Sequence, residues 1–220
     1  MVRRVIGLIL LMLMFTLAPT TGKLNDENDS YKLGLVKINY NFKYMTTGFF
    51  IDNDGLIMTV AHALPGGAYD AFITEYQIYV ETMDTSTIYK AQIVAVSRKS
   101  DILLLKIDGY DVKVFFDKFD QPIENEDVTM VGFPTMEWYS QKDGNIVIND
   151  VRNFVGVDEG LAGGSSGSPV FNKDRHIVGM VNRMDTRVEF TMIVSGMALK
   201  VFYKAYLEAV TQQKLNEYLK

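Results

Sequence analysis

The sequence predicts an all-β, barrel-like body closed by one C-terminal helix, and three observations carry that reading. From Tyr31 onward the chain breaks into short alternating or wholly apolar runs. Glycine, asparagine and aspartate punctuate those runs, and only the last stretch repeats its apolar residues at helical spacing. A chain of 220 residues holds one compact unit, or two half-barrels sharing a core. With 48% apolar and 22% charged residues, it buries that core without metals or disulfides.

The N-terminus stands apart from the body. Arg3 and Arg4 precede an apolar run from Val5 to Ala18, and Pro19, Thr20, Thr21 and Gly22 then lead into polar residues. This is the order of parts in a secretory signal. The run is shorter than the roughly 20 residues a bilayer span needs, which favours a cleaved signal over a permanent membrane anchor for 1–22, with 23–30 as a polar linker. Export follows, to the periplasm, the envelope or the medium, and membrane contact is expected only through this segment if it stays uncut.

The strands follow in order. Residues 35–40 alternate and 48–51 are apolar. Asp52-Asn53-Asp54-Gly55 makes a turn into 56–60, so this part reads as a hairpin. Further strands are expected at 77–81, 91–96, 102–107, 128–132, 145–148, 169–171, 176–181 and 188–194. The helix is expected at 197–219, where Leu199, Phe202, Tyr203, Tyr206, Leu207 and Val210 recur at i, i+3, i+4 spacing.

Charge and composition exclude several classes. The net charge is −5 with both signs mixed along the chain, so nucleic acid is not an expected partner. The absence of cysteine removes disulfide staples, a thiol nucleophile, a lipid-modified cysteine and cysteine-rich zinc sites. Neither a cofactor nor a metal is called for.

Three segments carry chemistry. Acyl transfer to serine needs a hydroxyl on a sharp turn, backbone N–H groups aimed at a developing oxyanion, a base, and a group that orients the base. Gly163-Gly164-Ser165-Ser166-Gly167-Ser168-Pro169-Val170 offers Ser166 as nucleophile, and its glycines let the Gly164 and Ser166 amides converge. A stretch of this composition on its own reads as a plain flexible loop. Of the two histidines, His62 ends an apolar strand between small residues, whereas His176 lies in a charged turn and reads as a surface side chain. Asp101 heads the apolar run Ile102-Leu103-Leu104-Leu105; it suits either a turn cap or the carboxylate that orients an imidazole.

Taken together and in the order His, Asp, Ser, the segments around His62, Asp101 and Ser166 resemble the signature segments of trypsin-like serine proteases. Gly48 through Ile57 and Ile93 through Asp101 look most like the bacterial HtrA/Deg and glutamyl-endopeptidase branches. The likeness runs from about 35 to about 200. It implies two six-stranded antiparallel barrels within 31–220 that divide near 110–125. The triad would lie in the cleft between them, and a polypeptide would be the substrate.

The departures matter as well. Residue 165 is serine where animal digestive proteases carry an aspartate that pairs with a new N-terminus, so that activation switch is not expected. No PDZ-like domain is expected after the protease segment, and PDZ-gated oligomeric behaviour is not carried over. By the resemblance, Asn182, Arg183 and Met184 lie along the substrate pocket, and Gly160 stands where trypsin-type pockets keep an acid. Met184, with Val188 opposite, implies a shallow pocket for small or medium apolar side chains. The readings left standing are a serine endopeptidase, a protease-like binding module, and an esterase using the same triad.

Overall fold

The computed structural model describes residues 27–41, 44–64, 77–84, 87–136, 138–149, 154–161, 163–185 and 190–218. The expected signal segment, the first part of the expected linker and Val188 lie outside the described residues.

A short helix, α1 (Glu27–Leu33), leads into six strands: β1 (Leu35–Tyr40), β2 (Tyr44–Phe50), β3 (Leu56–Thr59), β4 (Ile78–Thr82), β5 (Ile88–Ser97) and β6 (Ile102–Lys106). They close into an antiparallel barrel in the order β1-β2-β3-β6-β5-β4, sealed where β1 pairs with β4. A second set follows: β7 (Asp127–Gly132), β8 (Ser140–Asn149), β9 (Phe154–Val157), β10 (Pro169–Asn172), β11 (Ile177–Asp185) and β12 (Phe190–Ser195). It closes in the order β10-β11-β12-β9-β8-β7, and β10 pairing with β7 completes it. The helix α2 (Gly196–Tyr218) ends the described chain.

Each barrel has its own filling. Val36, Ile38, Tyr40, Phe50, Ile57, Leu103 and Leu105 pack in one cluster, and Val128, Met130, Ile146, Val157, Val170 and Val178 in another. A third cluster draws on both barrels, with Leu35, Phe49, Met58 and Leu104 from the first, Phe171 and Met180 from the second, and Phe116 from the connecting segment. Successive strand residues point to opposite faces, so a strand buried on both must be apolar throughout. That is why Leu56–Thr59 and Leu103 to Leu105 show no polar alternation. Each such side chain taken out of water contributes about 1.5–3 kcal/mol.

The turn at Asp52 forms as its residues dictate. Asp52 Oδ1 accepts from the amides of Asp54 and Leu56, both at 2.9 Å. Two elements were not expected. Residues 27–33, read on sequence as the end of the linker and the start of the barrel body, form a helix, although seven residues are too few for an isolated helix to persist in water. Tertiary contacts hold it: the Tyr31 ring sits 4.8 Å from that of Phe171, and the Arg175 guanidinium lies 4.4 Å over Tyr31. Strand β9 is also new, and its Gly156 hid it. A Cβ there would come within 2.2 Å of the Phe190 ring, so cross-strand packing demands the residue that strand patterning argues against.

Helix α2 buries less than its apolar period implies. Gly196 and Leu199 are buried and Phe202, Tyr203 and Tyr206 partly so, while Leu207 is 43% exposed. The first turns dock on β11 and β12, and the rest projects.

Candidate active site

His62 and Asp101 are brought together by strand pairing. Thr59 of β3 lies opposite Leu103 of β6, so the residues just beyond those strand ends are neighbours. Asp101 takes a left-handed backbone conformation, φ 55°, which aspartate tolerates better than most residues. Its Oδ2 lies 2.7 Å from His62 Nδ1, and its Oδ1 accepts the His62 backbone N–H, also at 2.7 Å. One carboxylate thus fixes both the main chain and the ring of the histidine. With the proton on Nδ1, Nε2 is left as a base. The His62 side chain is 48% exposed and that of Asp101 18%, so the carboxylate is the shielded partner. It borders the first core: burial, and then the negative charge of Asp101, hold the Tyr40 hydroxyl far above the usual tyrosine range.

Ser166 sits in a loop whose peptide units are fixed one by one. A trans peptide points its N–H opposite to its C=O, and no cis bond occurs here, so whatever holds a carbonyl also aims the following amide. The Gly163 carbonyl accepts from Thr135 N at 2.6 Å, and the Ser165 carbonyl from Ser168 N at 2.9 Å. The Gly164 and Ser166 amides are thereby turned the other way, and among the described residues neither has an acceptor. In between, the Gly164 carbonyl accepts from Thr47 Oγ1 at 3.1 Å. The Ser166 carbonyl accepts from Thr47 N at 3.0 Å and from the Thr46 hydroxyl. Gly164 and Gly167 have φ of 93° and 85°. At Gly167 the close approach is as demanding as the φ, because a Cβ would fall 2.0 Å from the Thr47 carbonyl oxygen.

The hydroxyl of Ser166 does not complete a hydrogen-bonded row with His62. It donates to the Asn182 carbonyl at 3.1 Å. Asn182 also donates its Nδ2–H to Asp101 Oδ2. The sequence placed Asn182 along the substrate pocket. A bulge between Val181 and Arg183 turns it instead toward the carboxylate and the serine.

Beside Ser166 lies a cleft of about 190 Å³ lined by Leu161, Gly163, Ser165, Ser166, Val181, Arg183 and Met184. Arg183 and Met184, two of the residues named on sequence, are among those that line it. Gly160 does not line it, and its carbonyl accepts from Lys142 Nζ at 2.8 Å. Leu161, the next residue, lines the cleft. A wider groove of about 530 Å³ over β7 and β8 shares none of these residues and lies away from Ser166. Among the described residues no cluster of His, Asp and Glu could hold a metal ion. His176 is not a bare surface side chain, since its Nδ1 lies 2.6 Å from Asp120 Oδ2 in the connecting segment.

Sequence reasoning missed Thr46, Thr47 and Thr135, and it named Asn182 for the pocket rather than for its contacts with Asp101 and Ser166. The first two left a trace: two adjacent threonines inside an otherwise apolar strand, both fully buried, must satisfy their hydroxyls locally. Nothing in the sequence marks Thr135.

Comparison with known proteins bears on the family and the fold. A family model described as the trypsin-like peptidase domain matches residues 46–180. A probable periplasmic serine endoprotease, DegP-like, from Halomonas elongata is 31% identical over 150 residues, covering 64% of this chain and 30% of the relative. The protein of the same description from Hahella chejuensis is 27% identical over 149 residues, with coverages of 64% and 30%. Serine protease HTRA1 from Xenopus laevis is 28% identical over 147 residues, with coverages of 61% and 30%. The chain spans about three tenths of the length of these curated relatives.

Among solved structures, the serine endoprotease from Yersinia pestis superposes with a TM-score of 0.68 at 18% identity, over 84% of this chain and 68% of that one. An inactive mutant form of Rv3671c from Mycobacterium tuberculosis gives 0.66 at 15%, over 83% and 91%. These likenesses establish the fold of two six-stranded barrels.

Proposed function

From the premise that the chain belongs to the trypsin-like peptidase family, we propose that it is a serine endopeptidase working through an acyl-enzyme, with Ser166 as nucleophile, His62 as general base and Asp101 as the group that orients it. The observation that carries this reading is the double hold of Asp101 on His62, at 2.7 Å to Nδ1 and 2.7 Å to the backbone N–H. A surface ion pair needs no such grip, whereas a base that must keep one tautomer does.

The chemistry follows from the groups present. The Ser166 hydroxyl leaves the Asn182 carbonyl, turns to His62 Nε2 and attacks the scissile carbonyl carbon as its proton passes to the imidazole. Hydroxyl contacts of this kind are often loose before substrate arrives. The Gly164 and Ser166 amides receive the negative oxygen of the tetrahedral intermediate. The imidazolium, stabilised by Asp101, protonates the leaving amine, and the acyl-enzyme remains. Water then repeats the sequence with His62 as base and releases the acid. Leu161, Val181 and Met184 give the cleft beside Ser166 an apolar lining, so it takes a small or medium apolar side chain on the acyl side of the cut. Arg183 and Met184 are the binding residues, and Asn182 belongs with the triad.

The N-terminal order of arginines, apolar run and polar residues supports export, as does the periplasmic description of the relatives. No helix of the described residues is long and apolar enough to cross a membrane.

A fluorophosphonate probe is expected to label Ser166 in the wild type and not in Ser166→Ala, and digestion of a peptide library is expected to show cuts after small apolar residues. Folded protein that neither labels nor cleaves defeats the proposal. One observation favours a protease-like binding module: the resting hydroxyl is engaged by Asn182 rather than His62. Under that reading peptides bind equally to wild type and Ser166→Ala, and none is cut. Turnover of an activated ester with no peptide cleavage would mark an esterase.

A further inference from the structure

We infer that Thr135 is a positioning residue for the oxyanion hole, its backbone N–H locking the Gly163–Gly164 peptide so that the Gly164 amide faces the reacting carbonyl. The inference rests on the serine-peptidase reading.

Of the peptide units around Ser166, three are held by the barrels or by the loop's own turn, through Thr47, Ser168 and Thr46. The Gly163–Gly164 unit is different. Glycine on both sides relieves it of Cβ constraints, and a Cβ built on Gly163 would meet nothing among the described residues within 4 Å. Its carbonyl is held by Thr135 N at 2.6 Å. Rotation of this one peptide would swing the Gly164 N–H out of the site and leave the carbonyl in its place.

The second observation is the backbone of Thr135. It sits in the single 3-10 turn Pro134–Met136 with φ 56° and ψ 5°, in the left-handed region. A β-branched residue is held there only at a cost of about 1–3 kcal/mol, and such conformations persist where the surroundings impose them. The turn is anchored on its upstream side, where Phe133 is buried and its N–H donates to Thr47 Oγ1 at 3.2 Å. Thr47 also donates to the Gly164 carbonyl, so one buried threonine sets both the turn that supplies the lock and the loop that receives it. The strained conformation aims the Thr135 N–H at Gly163.

The test changes the donor alone. Replacing the 134–135 amide by an ester, with the threonine side chain kept, removes the N–H. It is expected to lower kcat on a peptide substrate about 10²-fold, the order seen when one oxyanion donor is lost, with KM little changed. Affinity for a peptide aldehyde, whose adduct places an oxyanion in the hole, falls in parallel, while affinity for the matching product acid does not. Thr135→Gly keeps the N–H and suits the left-handed conformation, so its kcat stands well above that of the ester.

Equal losses in aldehyde and product affinity would mean general collapse of the cleft and overturn the inference, as would an ester form with wild-type kcat. Wild-type protein that never turns over peptide defeats the endopeptidase reading itself, a result distinct from an active enzyme indifferent to the ester.

Discussion

Asn182 of the second barrel donates its side-chain Nδ2–H to Asp101 Oδ2 of the first, while its main-chain carbonyl accepts the Ser166 hydroxyl at 3.1 Å. One residue therefore ties the proposed orienting carboxylate to the proposed nucleophile across the line where the barrels meet. A hydrogen bond to a charged acceptor contributes about 1.5–3 kcal/mol. Asn182→Ala is expected to lower kcat by about tenfold or more with a smaller change in KM, because the contact sets the triad rather than gripping substrate. Asn182→Ser, which can still donate, recovers part of the loss. Steady-state kinetics on one peptide checks this, and an unchanged kcat in Asn182→Ala would remove Asn182 from the site.

Asp101→Asn keeps the shape of the side chain and removes its charge. The amide can present an N–H to Nδ1 and force the ring into the wrong tautomer. Loss of about 10⁴-fold in kcat is the order known for this change in a serine triad. The folded state should survive, since Asp101 lies in a turn at the rim of the core. Activity assays paired with thermal melts separate the two effects.

Much of this site was legible before any coordinates, because its chemistry is written in local segments. His62 ends an apolar strand, Asp101 heads another, and Ser166 sits among glycines, so each could be picked out singly and then joined by order. The fold was legible for the same reason: the alternating run around Ile38 states which face is buried, and the wholly apolar run around Val178 states that both are. What stayed hidden depends on contacts distant in sequence. Thr135 and Gly163 meet only after the second barrel closes, and Asn182 is aimed by a β-bulge that no pattern announces. Helix α1 escaped because Phe116 and Phe171 stabilise it rather than its own seven residues. Strand β9 escaped because the Phe190 ring requires a glycine at 156.

Met184 lines the cleft with Leu161 and Val181, and under the proposed function it bounds the pocket. Met184→Gly should open it, moving preference on the acyl side of the cut from small apolar residues toward leucine and phenylalanine. A pocket that gains or loses room for a methylene changes discrimination by about 1–3 kcal/mol, so kcat/KM for the larger residues is expected to rise about tenfold. A peptide library read by mass spectrometry reports the shift, and an unaltered preference would mean that Met184 does not bound the pocket.

Gly167 carries φ 85°, and a Cβ there would sit 2.0 Å from the Thr47 carbonyl oxygen and 2.5 Å from Thr59 Oγ1. Neither neighbour can yield, since one is strand backbone and the other is buried, donating to Thr47 O at 2.7 Å. Gly167→Ala combines a forbidden contact with a disfavoured φ. It should destabilise the protein by more than about 2 kcal/mol and abolish activity by moving the adjacent Ser166. Urea unfolding gives the first number and probe labelling the second.

Tyr40 is fully buried in the first barrel, and both burial and the nearby charge of Asp101 favour its neutral form. Its folded-state pKa therefore lies above the unfolded value of 10.0. Below that value both states keep the proton and stability is unaffected. As pH rises past it, the unfolded chain releases a proton that the folded chain retains, so stability falls by about 1.4 kcal/mol per pH unit for this one group. Tyr110, Tyr203 and Tyr206 are raised in the same direction by desolvation and neighbouring carboxylates, and they steepen the loss. Tyr40→Phe removes one titrating group while keeping the ring that packs beside Ile38 and Leu103. Denaturant midpoints of the two proteins should run parallel from neutrality to about pH 9 and then diverge, the variant losing stability less steeply. Parallel curves up to about pH 11 would show that the Tyr40 hydroxyl titrates alike in both states.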